Sequence, residues 1–214
     1  YSTLGRLDWL GADPLLNTFI HWPEGELARL IIHELAHQVV YVADDTAFNE
    51  SFATAVERLG GARWLERHAD AAARREYAAF DARRLRFRAL QAEARAALQS
   101  LYVRASGPDR VAERVAGKAA ILAGLADRLG DEARRDPSPQ TEAMARWARG
   151  ANNATLAIAG AYDDGVPAFE ALFRKAGADW PRFYDAVRSL AAEPREVRRA
   201  RLKELIDVAH PHPS

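Results

Sequence analysis

The stretch Leu30-Ile31-Ile32-His33-Glu34-Leu35-Ala36-His37-Gln38 narrows the folds open to this chain more than any other. Its composition favours a helix, and on an α-helix two residues four apart share a face, with Cβ atoms about 6 Å apart. Two imidazoles so placed can take adjacent corners of a tetrahedral zinc site, with Glu34 one residue round from the first. A catalytic zinc takes three protein ligands and leaves one corner to water. Glu50 is the third candidate. It lies in a second helical run from Thr46 to Leu59, and the break at Ala43-Asp44-Asp45 lets the two helices turn to face each other.

The chemistry follows from those groups. Zinc lowers the pKa of bound water from about 15.7 towards about 7 and polarises a carbonyl. Glu34 is placed to take the water's proton as general base and to return it to the leaving amine. Two neutral imidazoles and one carboxylate leave residual positive charge, which suits an oxyanion. The pattern predicts peptide-bond hydrolysis. A bare H-E-x-x-H also arises by chance, and the competing reading is a pair of core histidines hydrogen-bonded to Glu34 and Glu50. Ile31, Ile32, Leu35, Val39 and Val40 make the helix apolar enough to be buried, where such polar groups need partners or a task. With no cysteine, thiol chemistry and disulfides are excluded.

These residues carry a resemblance. His33-Glu34-Leu35-Ala36-His37 with Asn49-Glu50-Ser51-Phe52-Ala53 resembles the gluzincin metallopeptidases, and the wider run from Leu27 to Thr54 resembles a bacterial family called predicted aminopeptidases. Tyr1-Ser2-Thr3-Leu4-Gly5, Asn152-Asn153-Ala154 and Val166-Pro167-Ala168-Phe169 match further segments of that family. The resemblance implies a zincin-like, mainly α-helical metallopeptidase domain with His33, His37 and Glu50 on Zn2+, and Glu34 as base. It implies a peptide substrate and an aminopeptidase activity, an endopeptidase being the variant reading. It also implies placement in the bacterial cell envelope, with lipid anchoring as one form. The gap from His37 to Glu50 is shorter than in thermolysin or the large aminopeptidases, so their substrate subsites do not transfer. Gluzincins set a tyrosine or histidine opposite the metal to donate to the oxyanion, and Tyr162, beside Asp163-Asp164-Gly165, is the candidate; a core tyrosine is the alternative. Asn152 and Asn153 either bind the substrate backbone or amino terminus, or cap a helix. A different class of reading is a helix-rich scaffold whose metal site has only a structural role.

Composition bounds the partners. The chain has 214 residues, read as a single domain 1–214, and 30 basic residues balance 30 acidic ones, so no bulk attraction to nucleic acid or an anionic membrane is implied. No run of about 18 apolar residues predicts a membrane span, and no export signal is visible. Because the chain starts at Tyr1 within a segment the resemblance covers, it is read as a fragment of a longer protein.

Taken in order, Tyr1-Ser2-Thr3-Leu4-Gly5-Arg6-Leu7 reads either as a short edge strand able to hold an extended peptide or as an ordinary loop. The first metal helix is expected from about Glu24 to Val42, and the second from the cap Asp45 to Gly60-Gly61. Thr54, Asn49 and Glu57 are comparable candidates to orient a ligating histidine. Residues 63–135 read as a helical hairpin: Arg63 to Arg104 is free of Gly and Pro, Ser106-Gly107-Pro108 breaks it, and Val111 to Leu129 forms the return stripe. The hairpin packs, walls a substrate cleft, or offers an oligomer surface. Shorter helices are expected after Asp136-Pro137-Ser138-Pro139, to about Ala209.

Overall fold

The computed structural model describes residues 22–163 and 165–209, leaving aside the side chains of 159–163, 208 and 209. The strand-or-loop segment Tyr1 to Leu7 lies outside the described residues, as do His210 and His212. Among the described residues the protein is mainly α-helical, with nine α-helices and no strand. None of these helices is long and apolar enough to cross a membrane. Among the described residues two compact units are distinguished: one joins those up to Tyr77 with those from Tyr162 onward, and the other is Ala78–Ala161.

The first unit is built on α1 (Glu24–Val39) and α2 (Thr46–His68). Glu24 and Glu26 in the first turn of α1 complement its dipole. That helix ends at Val39, earlier than the apolar run suggests, because Asn49 takes the Val42 backbone for itself. Its Oδ1 accepts from Val42 N (2.9 Å) and its Nδ2 donates to Val42 O (2.8 Å). Asp44 sits at φ 60, a left-handed position that closes the turn, and Asp45 caps α2 by accepting from Phe48 N.

Gly60-Gly61 does not end α2, which continues to His68. The glycines serve a close crossing instead. A Cβ on Gly60 would lie 3.1 Å from Ile32 Cγ2, and one on Gly61 3.1 Å from Arg29 Cγ. Their poor helix propensity, about 1 kcal/mol each, is offset by the approach of α1 that it permits. The expected break therefore moves to Ala69-Asp70. Asp70 accepts from Ala73 N (2.8 Å) at the start of α3 (Ala71–Arg104), and Arg74 donates to the Leu65 and Glu66 carbonyls at the end of α2. Local capping splits a run that composition alone leaves continuous.

Against α2 packs α7 (Val166–Lys175), and against α7 pack α8 (Trp180–Ala191) and α9 (Arg195–Ala209). Phe48, Phe52 and Val56 of α2 meet Val166, Phe169, Phe183, Val187 and Leu190 in one core. Phe52, Phe169 and Phe183 are fully buried, and each such ring contributes on the order of 3 kcal/mol. A Cβ on Gly165 would stand 2.6 Å from Ser51 Oγ, so α7 begins directly against α2, one residue beyond Glu50. Arg198 of α9 locks the same end of α2. It donates to Asp45 Oδ2 (2.7 Å) and to the Ala191 and Glu193 carbonyls, and lies over the Phe48 ring.

In the second unit, α4 (Val111–Arg135) returns antiparallel to α3 after a 3-10 turn, Pro108–Arg110. Arg83 with Asp136, Arg86 with Glu132, Glu93 with Arg128, and Arg104 with Glu113 mark the antiparallel register. Leu90, Ala94 and Leu98 pack on Leu125 and Leu129, with Ala148 of α5 (Pro139–Arg149) and Leu156 of α6 (Asn153–Asp163) closing the cluster.

Candidate metal centre

The crossing of α1 and α2 turns the spacing of the two histidines into a site. Both rings leave one face of α1, their centroids 5.0 Å apart and nearly perpendicular. Glu50, in the second turn of α2, meets them from across the crossing. Its Oε2 lies 3.4 Å from His33 Nε2 and its Oε1 3.8 Å from His37 Nε2. Donors about 2.0–2.2 Å from a common zinc stand about 3.3–3.6 Å from one another in a tetrahedron. The three donor atoms lie within 4.8 Å of each other, and the group is able to hold a metal ion. All three side chains are only part-buried, so solvent can reach them.

The electrostatics suit such a group. Burial pushes the His37 imidazole below its ordinary pKa, against the pull of the Glu50 carboxylate. The His33 ring holds the Glu50 carboxyl below its ordinary value, against the effect of burial. A neutral imidazole and an ionised carboxylate are the states that offer lone pairs to a cation. The buried Nδ1 of His37 has no hydrogen-bond partner among the described residues.

Glu34 is part-buried on α1, beside the histidines, and makes no hydrogen bond or ion pair among the described residues. Its carboxylate is therefore not committed to a structural contact there. Glu57, two turns beyond Glu50 on α2, is the group that orients a ligand candidate: its Oε2 accepts from His33 Nδ1 at 2.8 Å. Arg29, one turn before His33 on α1, pairs with the other oxygen of Glu57. The repeat of i, i+4 on one helix and i, i+7 on the next was the available sequence signal for this pair. Asn49 instead clamps the turn at Val42, and Thr54 is buried with no hydrogen bond to either histidine among the described residues. His68 stacks against Trp64.

Asn152 caps α6, its Oδ1 accepting from Ala154 N (2.9 Å) and Thr155 N (3.2 Å). Asn153 donates to the Tyr102 hydroxyl at 2.7 Å. Tyr162 falls in the last turn of α6, and its side chain lies outside the described residues.

Fold and site together define a class: a mainly helical protein in which two crossed helices present two histidines and a glutamate able to hold a metal ion. The chain belongs to the putative aminopeptidase family, whose family model matches residues 1–202. Membership supports a peptidase-type function with a peptide as substrate. No curated protein and no solved structure matches the chain.

Proposed function

We propose that the chain is a zinc-dependent peptidase of gluzincin type, acting as an aminopeptidase, with His33, His37 and Glu50 as its metal ligands. The observation that carries this reading is the convergence of those three donors from two helices. The donor set of two imidazoles and one carboxylate, part-exposed, is the composition of catalytic rather than structural zinc sites. A zinc ion held there supplies Lewis acidity, making water acidic near neutrality and polarising a carbonyl. Glu34 takes the proton of the attacking water on its carboxylate and delivers it to the departing amine nitrogen. The crossing holds both histidines and Glu50 in place before substrate arrives, so little reorganisation accompanies reaction. Tyr162 is nominated as oxyanion donor on family resemblance, and Tyr162→Phe would then lower kcat with little change in KM. Envelope placement rests on the same resemblance and is read by cell fractionation.

Metal analysis joined to hydrolysis of matched peptides with free and blocked amino termini tests the reading. Glu34→Gln should keep zinc and lose turnover by about 10²–10⁴-fold. His33→Ala and Glu50→Ala should lose zinc as well. Blocking the amine abolishes cleavage by an aminopeptidase and leaves an endopeptidase unaffected. Full activity in Glu34→Gln would remove it as the base, and bound metal with no turnover on any peptide would favour a structural site.

A further inference from the structure

We propose that Arg29 and Glu57 form a positioning relay that sets the tautomer of His33, keeping its Nε2 lone pair pointed at the metal corner. The proposal rests on His33 being a metal ligand and extends that reading to two residues it does not use. The geometry carries it. Glu57 Oε2 stands 2.8 Å from His33 Nδ1, whereas Glu50 Oε2 stands 3.4 Å from the other ring nitrogen. An ionised carboxylate only accepts, so the closer, more buried contact places the ring proton on Nδ1 and frees Nε2.

Arg29 makes this more than one hydrogen bond. A guanidinium only donates. It occupies the second oxygen of Glu57, and both residues are buried, at 5% and 9% exposure. Two buried charges at a helix crossing are weakly stabilising at best, so stability alone does not account for the pair. Gly61 gives the Arg29 stem its room, a Cβ there standing 3.1 Å from Cγ, closer than ordinary van der Waals contact. Arg29 and His33 sit one turn apart on α1, and Glu50 and Glu57 two turns apart on α2, so the two helices interlock in one register through the metal-ligand candidates and the relay together.

The relay predicts an asymmetry that packing alone does not. In Glu57→Gln the amide has one acceptor oxygen and one donor NH2 group. Arg29, a donor only, claims the oxygen, so the NH2 faces His33 Nδ1 and turns it into an acceptor. The proton moves to Nε2, the atom the metal needs. Glu57→Gln therefore weakens zinc binding by about 10–100-fold, the usual effect of losing an outer partner of a metal-ligating histidine. Adding Arg29→Met frees the amide to rotate its oxygen onto Nδ1, so Arg29→Met/Glu57→Gln regains most of the lost affinity. Arg29→Lys/Glu57→Gln retains a donor-only cation and does not.

The test is zinc affinity by chelator competition on the full chain, with circular dichroism as a check of folding and ¹⁵N-histidine NMR of the metal-free protein, where no ion dictates the tautomer. Wild type should show a slowly exchanging Nδ1 proton for His33, assigned by its loss in His33→Gln, and Glu57→Gln should lack it. A folded double variant no tighter than Glu57→Gln, with wild type still binding zinc, overturns the relay alone. A wild-type His33 without that proton overturns it even if the double variant does not fold. Wild type that takes up no divalent ion removes the metal reading, and the relay with it.

Discussion

Two helix pairs in this protein are joined by short turns and bridged by arginine–carboxylate contact, yet they are built on opposite terms. Where α3 and α4 meet, the ion pairs are at the surface: Arg86 and Glu132 keep 56% and 28% of their side chains exposed. Cohesion there comes from Leu90, Leu98, Leu125 and Leu129 beneath them. Where α1 and α2 cross, the charges are inside, and Gly60 and Gly61 let the helices approach. An exposed pair is worth little because water competes for both partners. A buried pair replaces hydration it has lost, so removing one partner strands the other. The second unit uses charge to mark register, and the first uses buried charge to fix the start of α2 and the site it carries.

The largest effect expected from this contrast is at Asp45. Asp45→Ala removes the partner of buried Arg198 and the cap of α2 together, and should cost about 3–5 kcal/mol in urea unfolding. Asp45→Asn keeps the cap and should cost less. If both variants unfold at the wild-type midpoint, the buried charge in this unit is as dispensable as a surface pair. Gly61→Ala follows at up to about 2 kcal/mol, the overpacking cost less the helix propensity that alanine regains. The head of Arg29 is pinned by Glu57, so its Cγ cannot retreat from a new methyl 3.1 Å away. Zinc affinity should fall alongside stability, because the displaced arginine moves Glu57.

How far the sequence reveals this depends on whether a feature is local. The donor set of His33, His37 and Glu50 was legible because one helix and one short turn bring it together. The mainly helical class was legible from the same periodicity, as were the start of α1 near Glu24, the Asp45 cap and the hairpin's return. The end of α2 was not, because Gly60-Gly61 is a stop signal by propensity and a packing device by context. Only the position of Ile32 and Arg29 on the neighbouring helix distinguishes the two. Glu57 was nameable but not rankable against Thr54 and Asn49, since choosing among them needs the crossing angle that puts Glu57 on His33 Nδ1. The Asp45–Arg198 contact joins residues 153 apart, and no local pattern announces it.

The same reasoning reverses sign in the second unit. Gly124 lies within α4, and a Cβ there meets nothing within 4 Å. Gly124→Ala should therefore stabilise by about 0.4–1 kcal/mol, through the entropy removed from the unfolded chain. A loss of stability would mean that this glycine also serves a contact.

The smallest effect should come from the surface ladder. Arg86→Ala removes a bond to Glu132 that lies in solvent, and Glu132 retains Arg135 as a neighbour. The expected cost is under about 0.5 kcal/mol and should shrink further in salt, where exposed charges are screened. Leu98→Ala on the same helix, under the same ladder, should cost about 2–5 kcal/mol because it opens a cavity in the buried leucine cluster. Should Arg86→Ala approach the cost of Leu98→Ala, the ladder would be a source of stability. Charge would then act in both helix pairs as it does at the crossing of α1 and α2, and burial would no longer separate them.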